Sequence, residues 1–411
     1  MLIVVSQIII TQTASANYPT RTKQLVFNSI VEYTADDGWE DLTNQAKISL
    51  PKISVADMVN EDMAVSNSVG SKVHLGNVAT NLGGFSTNVP MFLRGDQVQI
   101  TSGYIYPVQS GPFNDSAVVF QGFISKVKGG KPFEIQAEDN MWLCKQAPAI
   151  GGVNGVFSWQ TYTVEAMVAE LFKNAGLPFT VNALTSTNIG VDFRVDNLTI
   201  AQVIEKLRKE TFFRSYFRGN EWRCGAIIYT DTDSNTYNFD FAKNIIDNEL
   251  IYQRKDDLTL SAIGVSTNTV LAGTTTKDGQ AKTKKVKLQV LCTYKNNVFT
   301  SIVKQPGDKT PFPANVEGER HTFPFVNITD PNVLIARTQA QLTEYYYTGY
   351  RGTFKTFGVP YCRMGDKANL TDAALPERNG LYMIKHVAYS LSMDDGLRQV
   401  IKLDYKLNTT S

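Results

Sequence analysis

Side chains able to do chemistry are few and scattered along this 411-residue chain. Its three histidines, His74, His321 and His386, lie too far apart in sequence to suggest a ligand set or a catalytic pair, and His386 alternates within a strand pattern, which gives it a structural role. No H-E-x-x-H, G-x-S-x-G, Walker-type or dinucleotide-binding glycine motif is present, and each absence removes a large enzyme class. Asp231-Thr232-Asp233-Ser234-Asn235 begins like a calcium loop, but Thr236 stands where glycine is required and Ala242 where a bidentate glutamate is required, so the stretch reads as a hairpin turn. Lys277, Lys282, Lys284, Lys285 and Lys287 have no aromatic residue between them and read as a solvated loop rather than a phosphate-binding track. Carboxylates are plentiful, yet nothing singles out a pair for glycosidic cleavage. Cys144, Cys224, Cys292 and Cys362 form no C-x-x-C pair and read as free buried thiols, which fits assembly in a reducing cytosol. No catalytic, cofactor-binding or metal-ligating residue is therefore assigned, and no cofactor is expected.

One small motif does recur. Arg94-Gly95-Asp96, in LRGDQVQI, is the tripeptide that animal adhesion receptors bind, and Met364-Gly365-Asp366, in MGDKANL, repeats it without the arginine. Glycine permits the backbone angles of a tight turn and aspartate bonds nearby amides, so Gly95, Asp96, Gly365 and Asp366 read as structural turn positions introducing two strands of one design. An adhesion signal does not explain the second copy.

The elements that carry these turns are mostly strands. Lys plus Arg number 40 against 39 Asp plus Glu, a net charge of +1, so no global field attracts nucleic acid or an anionic membrane. Aromatic residues make up 11% of the chain and many segments alternate with Val, Ile and Thr, which favours strands over helices. The first residues, MLIVVSQIIITQTASA, lack a basic start and are broken by Ser6, Gln7, Thr11 and Gln12, so they read as an opening strand rather than a cleaved leader. No stretch approaches the roughly eighteen uninterrupted apolar residues that a bilayer span requires.

Residues 1–150 read as a first β-barrel-like domain. Leu25 to Tyr33 alternates, Asp36-Asp37-Gly38 turns the chain, residues 57–90 form a long loop or irregular excursion, and Phe133, Ile135 and Ala137 share one face of a later strand. Gly and Pro concentrate in 148–156, and beyond them 157–235 reads as a small α+β module. Thr163 caps a helix carrying Val164, Met167, Val168, Leu171 and Phe172. Thr199 and Gln202 form a capping box before Ile200, Val203, Ile204 and Leu207, and a hairpin turns at Gly219-Asn220. Residues 240–315 form a β-rich middle region interrupted by AGTTTKDGQAKTKK, read as a mobile loop. Residues 316–411 form a second β-barrel-like region with one helix, from Asp330-Pro331 to about Tyr347, and a final hairpin through Asp394-Asp395-Gly396. The fold class expected is mainly β with an α+β insertion.

The order of these features resembles the hub proteins of phage tails, the family of late control protein D and the baseplate hub of contractile tails, related to the hub half of the type VI secretion spike. The likeness is carried by Trp39-Glu40-Asp41-Leu42-Thr43, Ile48-Ser49-Leu50-Pro51, Arg94 to Val98 with Gly103-Tyr104, Phe120 to Ile124, and Glu138 to Trp142. It continues through Thr199 to Leu207, Ser215-Tyr216-Phe217, Gly365-Asp366 and Gly380 to Lys385. The resemblance implies a homotrimer whose two similar barrel-like domains per subunit form a ring of six around a channel, adapting a hexameric tail tube to a central spike or tip. It implies as partners the tail tube protein, a central spike or tail-tip protein and a tape measure protein, with no stable membrane insertion and no sequence-specific nucleic acid. It implies a place in the virion tail, or a phage-derived particle, assembled in the bacterial cytoplasm. Two other classes stay open: a tail-associated peptidoglycan hydrolase and a receptor-binding tail-tip protein.

Overall fold

The computed structural model describes residues 3–51, 90–105, 115–158, 160–184, 186, 189, 192–211, 213–225, 234–254, 259–275, 281–295, 298–313, 319–326, 328, 330–343 and 348–407. Strands dominate, as the composition predicts. The first seven are β1 (Ile3–Thr11), β2 (Gln24–Phe27), β3 (Glu32–Gly38), β4 (Gln45–Leu50), β5 (Gln97–Ile105), β6 (Ala117–Lys128) and β7 (Phe133–Glu138). They lie in the order β3-β4-β7-β6-β5-β1-β2. Period-two alternation decides which face turns inward: Phe133, Ile135 and Ala137 are buried on β7 beside Ala46, Ile48 and Leu50 on β4, while the residues between them on β7 are half-buried.

The strand expected from Leu25 to Tyr33 is split between β2 and β3, and the turn expected at Asp36-Asp37-Gly38 is instead the end of β3. The two aspartates tolerate a strand because partners from far along the chain meet them: Asp36 faces His386 at 3.5 Å, and Asp37 accepts the Met364 amide at 3.0 Å. Residues 57–89 of the expected loop lie outside the described residues.

A short helix, α1 (Met141–Gln146), leads from β7 into a compact module. It comprises β8 (Val156–Phe157), α2 (Val164–Asn174), β9 (Thr180–Ala183), β10 (Phe193–Arg194), α3 (Ile200–Thr211), β11 (Arg214–Arg218) and β12 (Glu221–Gly225). The Thr163 hydroxyl accepts the Ala166 amide, and Thr199 and Gln202 exchange the two bonds of a capping box at 2.9 and 3.3 Å. The stripes predicted on both helices are fully buried against Phe157 and Trp222, and each such side chain contributes about 1.5–3 kcal/mol of burial. The β11–β12 hairpin turns at Gly219-Asn220 as expected.

The remaining elements are β13 (Thr236–Asp240), β14 (Ile245–Asn248), β15 (Ile251–Gln253), β16 (Leu260–Thr275), β17 (Ala281–Lys295), β18 (Val298–Lys304), β19 (Glu319–Val326), α4 (Pro331–Thr343), β20 (Gly349–Arg351), β21 (Thr353–Phe357), β22 (Lys367–Thr371), β23 (Gly380–Ser392) and β24 (Gly396–Lys406). The AGTTTKDGQAKTKK stretch is not a loop throughout: its ends are arms of the β16–β17 hairpin, paired as far as Thr275↔Ala281. Backbone pairing across a long hairpin outweighs the weak strand propensity of its Gly and Lys residues. With β18 and β19 this hairpin makes a four-stranded sheet, order β18-β17-β16-β19, on which α4 packs. Strands β13 and β14, from the middle of the chain, pair instead with β22 and β21 near its end.

Two six-strand ladders emerge with one design. The first runs β3-β4-β7-β6-β5-β1 and the second β14-β21-β24-β23-β22-β13. In each, a hairpin (β6–β7, β23–β24) occupies the centre and carries a register shift at the same place, Ile124/Lys126 and Ile384/His386. The sixth strand differs, since β1 is antiparallel to β5 whereas β13 is parallel to β22. Among the described residues the expected barrels do not close: the edge of β3 pairs with β23, which joins both ladders into one thirteen-stranded sheet.

Helix α4 approaches β16 at Gly264, where an added Cβ would overlap Thr338 Oγ1 in the buried interface. Gly264→Ala is expected to lower stability by about 1–3 kcal/mol, and Thr338→Ala to restore part of that loss in the double variant. Denaturant unfolding of the four proteins of this cycle measures it; additive losses contradict the packing described.

Candidate functional site

Gly95 and Gly365 sit in the same turn. Each has a positive φ, +92° and +87°, at the third position of a four-residue turn closed by Asp96 N–H to Leu93 O at 3.2 Å and by Asp366 N–H to Arg363 O at 3.1 Å. This is the geometry of a type II turn, which glycine adopts without strain. The turn then locks onto the central hairpin. Gly95 donates to Ile124 O and Ile124 to Asp96 O, both at 2.8 Å; Gly365 donates to Ile384 O and Ile384 to Asp366 O, both at 2.9 Å.

Both aspartates are fully buried and their carboxylates are spent in matching ways. One oxygen turns back to the start of its own turn, accepting Leu93 N–H at 2.8 Å in the first copy and Arg363 N–H at 2.8 Å in the second. The other reaches across to the chain just outside the sixth strand, accepting Thr13 N–H beyond the end of β1 at 2.9 Å and Asn235 N–H ahead of β13 at 2.9 Å. Each aspartate thus ties three parts together, its side chain holding the turn and the segment beside the sixth strand and its backbone the hairpin. Since Asp96 is enclosed, the Arg94-Gly95-Asp96 tripeptide offers no carboxylate to a receptor.

The copies differ in how the charge is balanced. Asp96 forms a two-pronged ion pair with buried Arg21, at 2.9 and 2.5 Å, and the other three guanidinium N–H groups go to the carbonyls of Thr13, Pro90 and Met91. Burial pushes the Asp366 carboxyl above its ordinary range, against its amide bonds and the more distant Arg363 and Arg218. Arg21 stands in an unpatterned stretch, so no signal in the sequence points to it.

The two ladders meet around a polar cavity of about 370 Å³ lined by Asp36, Asp37, Asp139, Arg218, Tyr361 and Arg363, together with Asn44 and Val118. Asp37 and Asp139 are the carboxylates a hydrolase would need here. Both are already held by backbone, Asp37 by Met364 and Asp139 by Asn44 and Met141, each at 3.0 Å. Tyr361 donates to Val118 O at 2.6 Å and Tyr104 to Leu397 O at 3.0 Å across the same joint. The cavity is built as a seam between halves. Among the described residues no cluster of His, Cys, Asp and Glu is arranged to hold a metal, and no helix is long and apolar enough to cross a membrane. The four cysteines are free and buried, as the sequence predicts.

No protein family model and no curated protein sequence matches the chain. Solved structures do. The tail protein from Neisseria meningitidis MC58 superposes with a TM-score of 0.53, covering 99% of this chain and 96% of that one at 11% identity. The chain shares the fold of that protein. The 43 kDa tail protein of prophage MuSo2 from Shewanella oneidensis repeats the match with a TM-score of 0.51, covering 97% of both chains at 9% identity. Coverage from end to end means that the shared fold includes both ladders and the elements between them.

Asp96→Asn leaves Arg21 enclosed without its counter-charge and is expected to cost about 3–5 kcal/mol, whereas Asp366→Asn, which gives up no such pair, is expected to cost about 1–2 kcal/mol. Urea midpoints followed by tryptophan fluorescence compare them, and the reverse order would contradict the charge balance described. Burial also pushes Asp139 up to about 7 from 3.8, despite the amides of Asn44 and Met141 and the nearby Lys145. The stability this group provides is complete below its unfolded pKa and is lost as pH rises through its folded one. The melting-temperature difference between Asp139→Asn and the parent should therefore shift in the variant's favour between pH of about 4 and about 7. A flat difference would contradict it.

Proposed function

We infer that the chain is a structural hub of a phage tail or of a phage-derived injection device, acting by geometry and without catalysis. The observation that carries this reading is the internal repetition: one polypeptide holds two ladders of the same strand order, each fastened by the same Gly-Asp turn. Three copies then supply six related ladders, the number a hexameric tube presents, while elements present once per chain keep threefold symmetry for a central spike or tip. The shared fold with two tail proteins supports the same reading. In this role Gly95, Asp96, Gly365 and Asp366 are the fixed points of the repeated unit. The partners are two further copies of the chain, a tube protein, a spike or tip protein and a tape measure protein, in a particle assembled in the bacterial cytoplasm.

Light scattering on the purified protein is expected to give three times the chain mass of 45.6 kDa, and negative-stain averages a hollow ring with six similar lobes. A monomer at every concentration, or a compact particle without a channel, would overturn the reading. Release of soluble fragments from purified cell wall, abolished by Asp139→Asn, would instead favour a wall hydrolase.

A further inference from the structure

The seam between the two ladders is strand β23 pairing along β3 from His386↔Gly38 to Leu391↔Tyr33. Each partner in that seam has a counterpart in the other ladder. On the hairpin side, Ile124 and Ile384 make the same bonds to their Gly-Asp turns, and the register shift that follows aligns Lys126, Val127 and Lys128 with His386, Val387 and Ala388. On the edge side, Lys47 lies opposite Gln136, which lies opposite Lys126; Thr353 likewise lies opposite Lys402, which lies opposite His386. Thr34 pairs with Lys47, and the Glu249 amide donates to Thr353 O, so Thr34 corresponds to Glu249 and Asp36 to Ile251.

These counterparts do not meet each other in the strand ladders of one chain. Beyond Ile124 no described strand pairs with β6 on the side where β3 pairs with β23, and β14 is the terminal strand of the large sheet. The edge is also uncovered: Asn248 and Leu250 take the places of Tyr33 and Ala35, and Asn248 is exposed and Leu250 half-buried where Tyr33 and Ala35 are buried beneath the seam; Ile251, in the place of Asp36, is 73% exposed. Charge favours the match. Within the seam the hairpin side is basic and the edge side acidic, with His386 against Asp36 and Lys385 and Lys402 against Glu40. The open end of the hairpin, from Lys126 to Gln136, carries Lys126, Lys128 and Lys131 beside a single carboxylate, Glu134, which already pairs with Lys128; the open edge carries Asp247 and Glu249, with Arg351 across the ladder from Ile251.

We propose that the open edge of β14 and β15 in one copy docks along the end of β6 in the next, repeating between subunits the β3–β23 seam found within each. Val127 then faces Tyr252 and Lys128 faces Ile251, and the edge N–H and C=O groups left open by one chain are paired by another. The joint is head-to-tail, so it closes only if the rotation it imposes divides a full turn. It rests on the ring reading given above and specifies which surfaces make the ring.

The test uses two single variants of the full chain, Lys128→Cys and Ile251→Cys, mixed after dissociation and reassembly under mild oxidation. The native cysteines are buried and stay out of the reaction. A covalent dimer in the mixture and none in either variant alone is the expected result, together with at least a tenfold weaker assembly of Lys126→Glu/Lys128→Glu. A particle of three chain masses that gives no mixed disulfide and tolerates the charge reversal overturns this seam and leaves the trimer standing. A chain that stays monomeric overturns both.

Discussion

A carboxylate buried behind a glycine that must take a positive φ is the constraint on which the architecture turns. Asp96 and Asp366 each join their own turn to two distant pieces of chain, the segment beside the sixth strand through the carboxylate and the central hairpin through the backbone. Enclosing a carboxylate without such bonds costs several kcal/mol, so the bonds are a condition of the fold rather than an ornament to it. The backbone groups of Ile124 and Ile384 fix where the central hairpin lies relative to the turn. From that position the order of the remaining strands follows.

Around these two points the chain builds one sheet, not two closed units. Strand β3 completes its pairing with β23, and side chains from both halves span the seam: Tyr104 and Tyr361 reach across it, and Asp37 holds the Met364 amide. Glu40, between Lys385 and Lys402, lies below the usual carboxylate range even though partial burial pushes it upward. The halves are therefore held at a fixed orientation, which is what a protein working by shape requires.

Local patterns were legible in the sequence wherever local physics decided the outcome. Thr163, the Thr199–Gln202 box, the alternation of β7 and the turns at Gly219 and Gly396 all follow from a few neighbouring residues. Asp36-Asp37-Gly38 misleads because its partners, His386 and Met364, lie more than three hundred residues away. The Lys-bearing stretch of β16 and β17 misleads for a related reason, since backbone pairing there overrides composition. Arg21 is invisible from sequence because its five bonds go to one distant carboxylate and three carbonyls that only the fold assembles. The recurrence of Gly-Asp was readable; the continuity of the sheet through β3 and β23 was not, because strand order between distant segments leaves no local signature.

The reversed direction of the sixth strand has a consequence for what the repeated block is. Side chains project alternately from a strand whichever way its backbone runs, so β1 and β13 fill corresponding places while arriving from opposite ends. The copied segment is thus five strands, completed in each half by a strand recruited from elsewhere in the chain. Grafting one half onto the other would need a new connecting path at that strand, even though the interior it lines could be exchanged intact.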